Sequence, residues 1–287
     1  MPPESAMRIF VPSFVVATLQ PPQTALRSKL GGLPWGFPAE SWPVCAECGG
    51  PMVLLAQLPQ DAAIGLDLGG EDHVLHLFQC PAAGCSSYEY ESGCNASLVL
   101  RRAELGDGLT PSPGSDERFP PPVMNGELWI AGWHERDDGI TPDLRDAFFD
   151  PDKYWDFASR SVGGTGGDAV PRRRERTKVG GFPEWGNHGV VLPNGTFEFL
   201  LQLDTFLPVE GQLPKPEQAG CSICSAKGSV TAVPADMAKP NAPLMLHEGA
   251  GETGYSAEFA NFGTDGTAYV FIDRRSMPPL VIWAWTR

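Results

Sequence analysis

The sequence lacks the features that define several protein classes. No stretch approaches the 18 or so consecutive apolar residues that a membrane-spanning helix needs, and the apolar run at residues 10–19 is interrupted by Pro12. The opening residues, MPPES, carry no basic region followed by an apolar one, as a secretion signal would. We therefore expect no membrane association and a cytoplasmic location, and residues 10–19 are better interpreted as a strand.

Basic residues are scarce. The chain has 21 Lys and Arg against 35 Asp and Glu, which gives a formal net charge of −14. The negative field of the protein repels phosphate groups, so nucleic acid is not expected as a partner. The same acidic balance suits a basic protein partner, because opposite fields speed encounter.

Uninterrupted windows for helices are also scarce, because 33 glycines and 29 prolines break up the 287 residues. Short runs rich in branched and aromatic residues predict strands, at residues 52–58, 73–79, 97–101, 127–133, 189–192, 197–203, 267–273 and 280–285. Asn194-Gly195 predicts a hairpin within residues 190–197, and one helix is predicted at residues 141–149. The fold class is therefore mainly β, a β-rich α+β fold with few short helices.

Three signals occur twice in the same order. SKLGGLPW at residues 28–35 returns as TKVGGFPEW at 177–185, LLAQL at 54–58 as LLQL at 200–203, and HLF at 76–78 is echoed by YVF at 269–271. The repetition predicts an internally duplicated, pseudo-two-fold unit of antiparallel sheets. We expect a first unit at 1–160, a Gly/Arg-rich linker at 161–176 and a second unit at 177–287, with both units packed as one compact domain.

The repeated residues also predict local structure. Gly-Gly before proline suits a reversal with positive φ and a close backbone approach. Gln57 and Gln202 stand at matching positions within apolar strands. A buried amide must be hydrogen-bonded, so each glutamine is expected to satisfy backbone groups of a neighbouring loop.

The cysteines point to a metal. Seven cysteines, an odd number without a secretion signal, argue against a disulfide framework. Cys45 and Cys48 form a C-x2-C pair, and Cys80 and Cys85 form a C-x4-C pair. Two such pairs at the ends of β runs can supply the four thiolates of a closed structural zinc site. Buried unliganded thiols and a redox pair stay open as alternatives.

The other cysteines are less constrained. Cys94 is expected to be a plain thiol, with replacement of Cys85 as fourth ligand left open. Cys221 and Cys224 form a second C-x2-C pair, and His247 is the nearest later soft ligand. A second zinc on these three would still lack a donor, and a labile thiol pair is the alternative.

No motif proposes a reaction. None of the five histidines stands in a recognised catalytic pattern, and His73 and His76 are expected at the rim of a strand. We therefore predict no catalytic or cofactor-binding residue.

The motifs carry a resemblance to known families. The segments at residues 28–35, 45–58 and 76–85 together resemble the amino-terminal half of the programmed cell death protein 2 family. The later half, with KVGGFP at 178–183, LLQLD at 200–204 and NFGTDGTAYVFI at 261–272, is similar to the YwqG-like family of uncharacterised bacterial proteins. The resemblance implies a β-rich duplicated fold without an established catalytic centre, and Cys45, Cys48, Cys80 and Cys85 as the matching cysteine pairs. For the eukaryotic relatives it also implies a chaperone-like role toward a ribosomal protein.

These observations lead to a zinc-stabilised, protein-binding protein of the cytoplasm, chaperone-like toward a basic client. Two alternatives differ in class. The first is a hydrolase-like enzyme with its site in the cleft between the halves. The second is an immunity or antitoxin protein that neutralises a partner.

Overall fold

The computed structural model describes residues 7–113, 125–138, 150, 153, 177–185, 189–210, 230–233, 244–248, 255–260, 262–263 and 266–286. Within them the protein is mainly β, as predicted, and its named helical segments are short 3-10 turns. None of the described helical segments has the length and apolar character needed to cross a membrane. The predicted helix at residues 141–149 lies outside the described residues.

Fourteen strands are described. They are β1 (Arg8–Val16), β2 (Lys29–Leu30), β3 (Val53–Pro59), β4 (His73–Gln79), β5 (Asn95–Arg101), β6 (Leu128–Asp137), β7 (Lys178–Val179), β8 (Glu198–Asp204), β9 (Phe206–Pro208), β10 (Val230–Val233), β11 (Leu244–Glu248), β12 (Tyr255–Glu258), β13 (Thr267–Asp273) and β14 (Leu280–Thr286). Ten of them form one sheet in the order β14-β13-β8-β7-β1-β6-β2-β3-β4-β5, and the others form a small sheet in the order β10-β11-β12-β9. Every strand pair in the two sheets is antiparallel.

The large sheet curls until its two edge strands meet. Asn95 Nδ2 on β5 donates to the carbonyl of Trp283 on β14 at 3.1 Å, and the Trp283 indole donates back to the carbonyl of Ala96 at 3.1 Å. The Ser97 hydroxyl donates to the carbonyl of Val281. Side chains therefore cover edges that would otherwise expose unpaired backbone groups.

Seven of the eight predicted strands form, with bounds shifted by no more than a few residues. Of the run at residues 10–19, residues 10–16 lie in β1, and Ala17–Leu19 form a 3-10 turn. The strand at 189–192 and the hairpin around Asn194-Gly195 are wrong, because residues 189–192 make no strand pairing. Asn194 Oδ1 instead accepts the N–H of Thr196 at 2.9 Å. Asn194-Gly195 thus forms a local turn closed by the Asn194 side chain, and this turn does not connect two paired strands.

The repeated signals adopt the same local structure in both halves. Gln57 Oε1 accepts the N–H of Trp35 at 2.7 Å, and Gln202 Oε1 accepts the N–H of Glu184 at 3.0 Å. The predicted role of both buried glutamines is thus confirmed. The ladders of β3 with β4 and of β8 with β13 each skip one residue, Leu55 and Leu200, at matching positions. The duplication itself stays a prediction, as do the unit boundaries.

Both repeated Gly-Gly pairs have positive φ, as predicted, with values from 65° to 77° for Gly31, Gly32, Gly180 and Gly181. The close approach is also present. A Cβ built on Gly31 would stand 2.4 Å from the carbonyl oxygen of Gly126, a backbone atom that cannot rotate away.

Replacing Gly31 with alanine should therefore destabilise the protein more than the same change at Gly65. Gly65 also has positive φ, at 68°, but a Cβ there meets nothing within 4 Å. We expect a loss of about 1–2 kcal/mol for Gly65→Ala from conformation alone, and roughly 2–5 kcal/mol for Gly31→Ala from conformation plus overlap. Urea unfolding of both variants measures the difference, and equal losses would show that the close approach at Gly31 is unimportant.

Candidate functional site

Four cysteine side chains converge at the end of β4. The Sγ atoms of Cys45, Cys48, Cys80 and Cys85 all lie within 4.8 Å of one another. The two cysteine pairs are thus brought together as the sequence predicted, and the cluster could bind a metal ion. Among the described cysteines none forms a disulfide.

Tight turns hold the first pair. The Cys45 N–H donates to the carbonyl of Gly50, and the Gly49 N–H donates to the carbonyl of Cys45, both at 2.8 Å. Gly49 has a φ of 74°, which favours glycine. The Gly50 N–H points at Cys48 Sγ from 3.4 Å, so a backbone dipole is available to steady a negative sulfur.

The second pair is held by β4 and by the segment before β5. Cys80 directly follows β4, and its N–H donates to the carbonyl of Cys94 at 2.8 Å. The Cys85 N–H closes a turn to the carbonyl of Ala82 at 3.2 Å. The loop therefore presents two sulfurs on the side of the sheet where the Cys45–Cys48 turn lies.

An aromatic cluster supports the site. Phe37, Trp42 and Phe78 contact one another, with ring centroids 5.1–6.0 Å apart, and pack in one apolar group with Cys45 and Cys80. The Trp42 indole donates to the carbonyl of Met52 at 2.9 Å. These contacts hold in place the apolar surface against which Cys45 and Cys80 pack.

The thiols differ in acidity. Burial would raise the pKa of Cys45, but the Cys48 N–H and the Cys94 thiol outweigh it and lower that pKa to about 7. Burial raises the pKa of Cys85 to about 12, and it raises the pKa of Cys80 as well. Cys45 is therefore more acidic than Cys80 and Cys85, and a cation bound by the cluster would have to displace the protons of those two thiols.

Cys94 lies beside the four-cysteine cluster. The sequence alone left open whether Cys94 lies near the other thiols. It is fully buried, and its Sγ is 3.5 Å from that of Cys45. Glu47, Cys85 and Cys94 form a second group whose ligand atoms all lie within 4.8 Å of one another. Sequence reasoning missed Glu47, although it stands inside the C-x2-C turn.

The predicted second zinc site lies mostly outside the described residues. Cys221 and Cys224 are among the undescribed positions, and His247 occupies a place in β11 opposite Val230 and Ser256. That site stays a prediction.

His76 does not lie at a rim, so that expectation is wrong. It stands in the middle of β4 opposite Gln57, and its side chain is wholly buried. Its ring lies 5.0 Å from that of Phe37, and neither ring nitrogen has a hydrogen-bond partner among the described residues. Two histidines in one run do not show whether the strand is covered on one face or on both. The sequence therefore did not reveal that His76 is buried.

Acid should destabilise the protein through His76. Burial, helped by the charge of Lys29, lowers the pKa of His76 to about 3, whereas an unfolded histidine has a value near 6.5. The contribution of neutral His76 is therefore fully present above about pH 6.5 and is lost as pH falls toward 3, by up to about 1.4 kcal/mol per pH unit. Urea unfolding between pH 7 and 5 should show a shallower pH slope for His76→Phe than for wild type. Equal slopes for His76→Phe and wild type would contradict this.

A groove of about 870 Å³ lies near the edge-strand contact and the cysteine loop. Its lining includes Tyr88–Glu91, Gly189–Pro193 and Ala284–Thr286. Val191 is 81% exposed and Tyr88 is 47% exposed. A second cavity of about 610 Å³, lined by the loop from Cys80 to Ser87, shares Tyr88 and Trp285 with the groove.

The groove lining combines apolar and acidic residues. Val190, Leu192 and Trp285 supply apolar surface, while Glu89 and Glu91 supply negative charge. Among its described lining residues there is no histidine and no cysteine. The described lining residues therefore offer hydrophobic contact and attraction for a cation, and the Tyr90 hydroxyl donates to Glu91 Oε1 at 3.2 Å.

Comparison with known proteins assigns no function to this site. No protein-family model matches the chain, and no curated protein matches it.

Proposed function

We propose that the chain is a zinc-stabilised protein that binds another protein in the groove beside its cysteine cluster. The observation that carries the proposal is the convergence of four thiols next to an apolar, acidic groove. The metal ion would hold the two cysteine loops together, and the groove would contact the partner protein.

The donor set fits zinc. A tetrahedral ion with Zn–S bonds of about 2.3 Å places its sulfur ligands about 3.8 Å apart, and the Sγ atoms of Cys48 and Cys80 are 3.7 Å apart. Four thiolates and no oxygen donor are typical of structural zinc rather than of magnesium or calcium. Since all four positions would be filled by sulfur, the ion would hold the two loops together and leave no position for a substrate.

The groove suits an extended segment with apolar and basic side chains. Exposed apolar groups such as Val191 and Tyr88 gain from being covered. Glu89 and Glu91, on a chain with a net charge of −14, attract lysine and arginine. A basic client of this kind is the partner that the acidic composition favours.

A binding titration tests the proposal. The probe is a fluorescent 12-residue peptide of alternating lysine and valine, and the matched control peptide replaces each lysine with glutamate. We expect the lysine peptide to bind and Glu89→Lys with Glu91→Lys to weaken it at least tenfold. The control variant Glu40→Lys with Glu71→Lys carries the same charge change at exposed positions away from the groove, and it should weaken binding by less than threefold.

If both variants weakened peptide binding equally, binding would depend on the net charge of the protein alone. That result would contradict a specific site in the groove. Absence of binding by the lysine peptide would contradict the basic partner. The hydrolase-like and immunity alternatives stay predictions, and no contact among the described residues favours either of them.

A further inference from the structure

A carboxylate and a fifth thiol lie against the four-thiol cluster. A carboxylate oxygen of Glu47 and the Sγ atoms of Cys85 and Cys94 lie within 4.8 Å of one another. Cys85 belongs to both ligand groups, so the two groups share one sulfur. Cys94 also approaches the four-thiol group from another direction, with its Sγ 3.5 Å from that of Cys45.

These donors are held in place by the chain itself. The Ser86 N–H donates to both carboxylate oxygens of Glu47, at 3.2 and 3.3 Å. The Cys94 N–H donates to the Ser92 hydroxyl at 3.1 Å, and the Cys94 carbonyl accepts the N–H of Cys80. A carboxylate has about four lone-pair sites, so the bond from Ser86 leaves Glu47 able to bind a cation.

Charge favours a second cation at this place. Four thiolates around one divalent ion carry a net charge of −2, and the Glu47 carboxylate adds another negative charge. Cys45 and Cys80 are only 1% and 4% exposed, so part of this charge lies where water screens it poorly. A thiolate that already binds one ion can bridge to a second, which relieves the excess charge.

We propose that Glu47, Cys85 and Cys94 form a second, weaker metal position that shares the Cys85 thiolate with the four-thiol site. The ion would be a borderline or soft divalent cation, because two of its three protein donors are sulfur. Binding replaces the Cys94 thiol proton, which is released to solvent as the metal–sulfur bond forms. Three protein donors leave one tetrahedral position to water, which makes this position weaker than the closed one. The inference rests on the proposed function for its first ion.

Cobalt titration of the full-length apoprotein tests the inference. Cys221→Ser and Cys224→Ser are introduced first, so that only the five cysteines near the site respond. Thiolate-to-cobalt absorption in the near ultraviolet and tetrahedral bands in the visible report each equivalent. We expect two equivalents in this background, with the second bound at least tenfold more weakly.

Matched variants separate the two positions. Cys94→Ala and the exposed-site change Glu47→Gln should each lose the second equivalent and keep the first, whereas Cys48→Ser should impair the first. Saturation at one equivalent, loss of the first equivalent in Cys94→Ala, or retention of the second in both variants would overturn the inference. Absence of any tetrahedral cobalt signal would instead overturn the proposed function, so the two failures are distinguishable.

Discussion

Replacing Glu127 with alanine should lower the free energy of unfolding by about 3–5 kcal/mol. The Lys29 ammonium is wholly buried and donates to Gln23 Oε1 at 2.9 Å, to the carbonyl of Leu33 and to Glu127 Oε1 at 2.9 Å. Without Glu127 a buried positive charge loses its counterion, and the Trp129 indole loses its acceptor. Urea unfolding at pH 7 measures the loss.

The surface pair of Arg8 and Glu135 is the matched control. Its two side chains are 73% and 53% exposed, so Glu135→Ala should change the free energy of unfolding by no more than about 1 kcal/mol. The double change Lys29→Met with Glu127→Leu should recover most of the stability lost in Glu127→Ala, because no charge is left buried. If the double variant were as unstable as the single one, buried charge would not be the cause.

Replacing Cys80 with serine should lower the free energy of unfolding by more than about 3 kcal/mol, because metal binding to a folded site contributes folding free energy. For a chain of this size that corresponds to a fall in Tm on the order of 6–12 °C. A strong chelator should lower the Tm of wild type by a similar amount and should not lower the Tm of Cys80→Ser further. Calorimetry with and without chelator makes the comparison.

Cys94→Ser provides the control for this second result. Cys94 is as buried as Cys80, but it lies outside the four-thiol set, so its variant should keep the response to chelator. A wild-type Tm that is unchanged by chelator would contradict a stabilising metal. A chelator response lost in Cys94→Ser would place Cys94 in the primary ligand set.

Local sequence patterns predicted the parts of the fold that depend on neighbours in the chain. The β-type runs formed strands, the Gly-Gly pairs adopted positive φ, and both glutamines bonded loop backbone groups. The two cysteine pairs also met as predicted, because each pair lies on a tight turn and each turn adjoins the paired strands β3 and β4.

Features that depend on distant parts of the chain could not be predicted. The contact of β5 with β14 joins Asn95 to Trp283, and no local pattern marks either residue as its partner. The partners of two buried lysines are equally remote: Lys29 pairs with Glu127, and Lys178 pairs with Asp138 at 3.0 Å. His76 was misplaced because burial depends on which residues cover a strand, and Phe37 comes from a loop that the strand pattern does not show.

X-ray absorption at the zinc edge of protein purified with one equivalent of zinc measures the central claim directly. We predict a first shell of four sulfur atoms at about 2.3 Å and no nitrogen or oxygen in that shell. A mixed shell of sulfur with nitrogen or oxygen, or protein that retains no zinc after desalting, would contradict the four-thiolate site formed by Cys45, Cys48, Cys80 and Cys85.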